Sequence, residues 1–154
     1  MSKTSGNVVN PLELVDEIGV DGFRYYVLAE TPYGQDGDFT YEGLIGRYNS
    51  DLANDLGNLL SRTTAMIQKY RDGQIPNAGD ARGDADVRAT AARVIDAYRA
   101  HFDEFNFSRG LESVWELIAR VNKYIVENEP WTLAEKPAAA DQLDSVLFHA
   151  AESL

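Results

Sequence analysis

Between Thr40 and Tyr70 the sequence carries Leu44, Ile45, Tyr48, Leu52, Leu56, Leu59, Leu60, Thr63, Met66, Ile67 and Tyr70, a mostly apolar stripe recurring every three or four residues. A β-strand alternates every second residue, so this spacing predicts one face of an α-helix. A helix of about 30 residues is ~45 Å long at 1.5 Å per residue. A stripe of that length can be covered only by other long helices. The run therefore predicts a helix bundle.

The remaining segments agree. Asn10 suits an N-cap and Pro11 a first helical turn, and Leu12, Val15 and Ile18 form a short stripe that Gly19 ends. Asp21 suits the start of a second short helix through Phe23, Tyr26, Val27 and Ala29, which stops before Thr31-Pro32. TPYGQDGD (Thr31 to Asp38) and RDGQIPNAGDARGD (Arg71 to Asp84) read as loops. A further amphipathic helix is expected from about Asp84 through Val87, Ala91, Val94, Ile95, Tyr98 and Phe102. Another runs through Leu111, Val114, Trp115, Ile118, Val121, Asn122 and Ile125, and is broken at Asn128-Glu129-Pro130-Trp131. The last stripe is Leu143, Val146, Leu147, Ala150, Ala151 and Leu154, with no capping residue after it, and reads as a bundle incomplete at its C-terminus. No strand-like alternation and no internal repeat is present. The expected fold class is all-α: an antiparallel helix bundle preceded by a short helical segment, divided as residues 1–38 and 39–154.

Composition narrows the function. With 154 residues and 44% hydrophobic content, the chain suits one domain with a sizeable core. No apolar stretch approaches the ~20 residues of a bilayer span, and no charged-then-apolar leader opens the chain. There is no Cys, hence neither a disulfide framework nor a thiolate metal site. A soluble, cytoplasmic protein is the expectation. The net charge of −11 argues against non-specific nucleic-acid binding, which rests on a basic surface. It leaves room for a few side chains that read a few unstacked bases. The acid is uneven: residues 1–57 hold 3 basic and 10 acidic residues, and residues 58–154 hold 11 and 15.

Few residues promise catalysis. His101 and His149 read as two partly exposed helical histidines with no Ser or Asp in a nucleophile arrangement. A di-metal carboxylate site needs Glu three residues before each His; Tyr98 and Val146 stand there instead. The acidic residues read as solvated helix faces. Three other features are more promising. MSKTSGN places Lys3 among small hydroxyl residues before a Gly, a composition suited to phosphate contact or to a plain tail. Asn58 and Arg62, four apart in GNLLSR, share a helix face beside the stripe and form either an ordinary polar edge or a base-reading pair. Trp131 follows Pro130 at a helix end and is either a core lid or a stacking platform. Trp115 lies on the stripe and reads as core.

Together these stretches resemble the C-terminal part of the methionyl-tRNA synthetases, class I aminoacyl-tRNA synthetases. The resemblance runs nearly the whole length: Met1-Ser2-Lys3-Thr4 as the end of a KMSKS loop with Thr for the last Ser, then SGNVV, PLELVDEIGVDGFRYYVL, GQDGDF, RYNSDLANDLGNLLSRT and NEPW followed by Lys136. It implies an anticodon-binding bundle in which Asn58, Arg62 and Trp131 contact the CAU anticodon loop of tRNA(Met). It also implies that Met1, Ser2, Lys3 and Thr4 belong to a loop serving ATP phosphates in the full-length enzyme, which uses ATP and Mg. The Rossmann catalytic domain of that family is not encoded here, so the resemblance implies no catalytic residue, metal site or cofactor within this chain. An all-α protein-interaction module that no longer binds RNA is the alternative.

Overall fold

The computed structural model describes residues 10–154; Met1 to Thr4, with Val8 and Val9, lie outside them. Its helices are α1 (Pro11–Glu30), α2 (Tyr41–Arg47), a π-helical segment (Tyr48–Gly57), α3 (Asn58–Arg71), α4 (Asp84–Asp103), α5 (Phe107–Asn128), α6 (Pro130–Leu133), a 3₁₀ turn (Pro137–Ala139) and α7 (Ala140–Glu152). Among the described residues there is no strand, and the all-α bundle stands.

Local chemistry sets the helix ends. The Asn10 side chain accepts from the Leu12 N–H at 3.1 Å, and Thr40 Oγ1 accepts from the Gly43 N–H at 3.0 Å, so both caps satisfy a donor the first turn leaves orphaned. α1 is two helices joined at a kink: Gly19, at φ 77° and ψ 157°, takes a backbone conformation that a side chain would resist. α3 ends on Asp72 and Gly73, both in the left-handed region. The Glu129 backbone, at φ 45°, turns the chain between α5 and Pro130.

The expected long helix does run without a break from Tyr41 to Arg71, but its winding changes. Ten residues, Tyr48–Gly57, are π-wound, a form that is rare and usually confined to one turn. None of its ten residues is buried. Leu44, Leu59, Thr63 and Ile67 are buried, whereas Ile45 and Leu60 are exposed. Leu44 and Ile45, like Leu59 and Leu60, are adjacent in sequence and cannot both sit on one narrow face.

α4 and α5 form a hairpin, with α3 and α7 packed beside it. The main core joins Leu59, Val87, Ile118, Val121, Tyr124, Ile125, Val146 and Ala150, and a smaller cluster joins Ile67, Leu143 and Leu147. Each Val, Leu or Ile among them contributes about 1.5–3 kcal/mol when fully buried. A separate cluster of Leu14, Tyr26 and Leu44 anchors α1 to α2. A polar tie runs from α1 to the π segment. The Tyr25 hydroxyl donates to Asp51 Oδ2 at 2.6 Å, and Arg47 bridges Asp51 (3.4 Å) and Glu30 (2.6 Å). Burial and the Asp51 carboxylate push the Tyr25 phenol well above its ordinary range. Burial also pushes Asp51 up, but hydrogen bonds from Ser50 and Tyr25, together with Arg47, outweigh it and hold this carboxyl low.

Candidate nucleic-acid interface

Asn58 and Arg62 lie one helical turn apart on the first turns of α3 and line one groove with Asn54, Asp55, Trp115, Ile118, Ala119 and Asn122. The groove runs between the π segment and α5 and has a volume of ≈ 480 Å³. The π winding ends at Gly57, immediately before Asn58. Asn122 is fixed from behind, its Nδ2 donating to the Ile118 carbonyl at 3.2 Å. That turns its Oδ1 towards Arg62, whose Nη1 donates to it at 3.5 Å. Arg62 makes no ion pair among the described residues, although the Asp55 carboxylate lines the same groove. A guanidinium with donors to spare, beside two amides able both to donate and to accept, presents the chemistry that reads a base edge.

Trp131 does not line that groove. It stands on α6, just beyond the end of α5, with 45% of its surface exposed. The preceding Pro130 is buried and packs the short helix down, so a rigid anchor holds an exposed indole. The structure thus brings Asn58 and Arg62 together and leaves Trp131 separate. Of the groove residues outside the sequence-based site, Asn122 and Trp115 bear most on its chemistry. Asn122 stands as a polar residue within an apolar stripe, a signal the sequence offers. Trp115, expected as core, is only half-buried: it packs against the main core on one side and lines the groove on the other.

A second polar cluster corrects two expectations. His149 is not partly exposed but buried at 4%, and Asp84 is a buried carboxylate rather than a solvated one. Asp84 accepts hydrogen bonds from Tyr124, from Ser145 Oγ at 2.6 Å and from the Ala81 N–H at 2.6 Å. His149 Nε2 lies 4.0 Å from it. Burial pushes the Asp84 carboxyl up, yet the donors from Ser145, Tyr124 and Ala81, with His149 alongside, outweigh that and hold it below its ordinary range. Ser, His and Asp do meet here, but in the wrong order for a nucleophile. Ser145 bonds the carboxylate directly and is fully buried, whereas acyl-transfer chemistry needs Ser on His and open to substrate. The cluster ties α4, α5 and α7 together. His101, by contrast, is partly exposed as expected.

Among the described residues no group of three His, Asp or Glu side chains is placed to hold a metal ion, and no helix is long and apolar enough to cross a membrane. Over its entire length the chain is 50% identical to the methionine–tRNA ligase of Bacillus subtilis (strain 168) and 52% identical to that of Lactiplantibacillus plantarum, covering 24% and 23% of those proteins. Its fold superposes on the Mycobacterium tuberculosis methionyl-tRNA synthetase bound by methionyl-adenylate with a TM-score of 0.93 at 39% identity, over 99% of this chain and 31% of that one. The chain belongs to the methionyl-tRNA synthetase family. The description "tRNA synthetases class I (M)" matches residues 1–64. The chain spans about a quarter of the length of these relatives, and the alignment to them, unlike the family model, extends over all the groove residues and the NEPW turn.

Proposed function

We propose that the chain recognises the anticodon loop of tRNA(Met) on behalf of a methionine–tRNA ligase, the enzyme that attaches methionine to tRNA with ATP. The observation that carries this reading is the single groove in which Asn58, Arg62 and Asn122 present amide and guanidinium groups with few partners in the protein itself. RNA is read mainly where its bases are unstacked, by edge hydrogen bonds and by stacking on aromatic rings. The groove offers the first and Trp131 the second. Residues 39–154 carry this function as the bundle, and residues 1–38 form the segment that leads into it. Met1, Ser2, Lys3 and Thr4 serve the ATP phosphates only in the context of a catalytic domain. The methionine–tRNA ligase reaction therefore depends on that domain and not on this chain alone.

Affinity should be modest, because a net charge of −11 opposes the phosphate backbone. Replacing Arg62 by Ala is expected to weaken binding of a CAU anticodon stem-loop roughly 5- to 150-fold, the loss of one good base-edge contact. The thermal midpoint should hardly move, since Arg62 is exposed. Fluorescence anisotropy of a labelled stem-loop measures this, and unchanged affinity would overturn the assignment of Arg62. A protein partner captured with no RNA dependence, together with absent loop binding, would favour an interaction module instead.

A further inference from the structure

The groove that holds Asn58 and Arg62 has an aromatic wall as well as polar edges. Trp115 lines it beside them, together with Ile118 and the small Ala119. The indole is braced from behind. The Tyr25 ring meets it edge-on, with centroids 5.7 Å apart at 80°, a favoured aromatic geometry. Tyr25 is itself held by Asp51 at 2.6 Å, and Asp51 by Arg47. The orientation of Trp115 is therefore set before any ligand arrives, which limits the ordering cost of binding. The groove's ≈ 480 Å³ falls in the range of sites that take small ring ligands, about 300–1,000 Å³. Trp131 does not line this groove.

We propose that Trp115 is a second base-contacting aromatic: one unstacked base of the loop packs against its indole in the groove while Asn58 and Arg62 bond that base's edge. The proposal rests on the anticodon reading above and adds a residue and a subsite to it. Base–aromatic contacts tolerate any base, since every base has a π-face, so Trp115 supplies affinity and the polar pair supplies discrimination.

Trp115 and Trp131 are the two tryptophans of the chain. In the Trp131→Phe variant Trp115 is the sole indole, and Phe keeps a stacking face at the other site. Titrating this variant with a CAU stem-loop is expected to quench indole emission, saturating at the RNA concentration at which anisotropy of a labelled loop saturates. Trp115→Leu is expected to weaken loop binding roughly 5- to 150-fold with helical circular dichroism retained. Loop binding by Trp131→Phe with unchanged Trp115 emission would overturn the proposal and leave the anticodon reading intact. Should Trp115→Leu fail to fold, the emission titration decides alone. An unsubstituted chain that binds CAU and unrelated loops equally would overturn both.

Discussion

Replacing Asp84 by Ala is expected to destabilise the bundle by about 3–5 kcal/mol, the cost of leaving buried polar partners without their acceptor. The Tyr124 and Ser145 hydroxyls and the Ala81 N–H all donate to this carboxylate, and both side chains are fully buried. Removing Asp84 leaves the Tyr124 hydroxyl and the Ala81 N–H without their acceptor where α4, α5 and α7 meet, while Ser145 keeps only its bond to the Gly79 carbonyl at 3.1 Å. For a domain of this size the thermal midpoint should fall by about 10 °C or more. Asp86 provides the contrast: its carboxylate is 63% exposed and pairs with Arg120, so Asp86→Ala should change stability by no more than about 1 kcal/mol. The pH dependence has a definite sign. The folded-state pKa of Asp84 lies below its unfolded value, so its contribution is complete above the unfolded carboxylate range, about pH 4, and is lost as the pH falls through the lower folded value. Denaturant midpoints measured from neutral pH to about pH 3 should therefore drop more steeply for the unsubstituted chain than for Asp84→Ala. Parallel curves would show that the carboxylate does not act as described.

The second large effect is on binding rather than on folding. Trp131→Ala should weaken a CAU stem-loop roughly 5- to 150-fold, and Trp131→Phe should fall between the two, because a smaller ring keeps part of the stacking face. The indole is 45% exposed and its position is fixed by the buried Pro130 behind it, so the thermal midpoint should fall little. A large drop in stability with unchanged affinity would make Trp131 a core lid instead. Calorimetry and anisotropy on the same three proteins separate these outcomes.

The helix ends and breaks were legible from short-range chemistry. Asn10, Thr40, Gly19 and the NEPW turn each act within a few residues of themselves, and each stands where the sequence puts it. The π winding was not legible, because Tyr48, Leu52 and Leu56 keep the three- and four-residue spacing of an ordinary helix while the backbone beneath them is wound differently. Long-range burial was hidden as well. His149 is enclosed because Asp84, on α4, approaches it from 65 positions away in the chain; nothing near His149 in sequence announces that. The same reason hid Trp115. Its place on the apolar stripe of α5 is real, but the groove it borders exists only where the π segment passes α5. Asn58 and Arg62 were findable because one helix carries both, whereas Asn122 completes their groove from another.

The central claim is that a strongly acidic helical bundle reads an anticodon through a handful of placed side chains. It is tested most directly by the affinity of the unsubstituted chain for a CAU stem-loop against the same stem carrying the three bases in permuted order. Both RNAs have the same charge, so the phosphate contribution cancels. The expected result is tighter binding of CAU by at least about tenfold, as edge contacts that each discriminate by about 1–3 kcal/mol require. Equal affinity for the two loops would contradict the account.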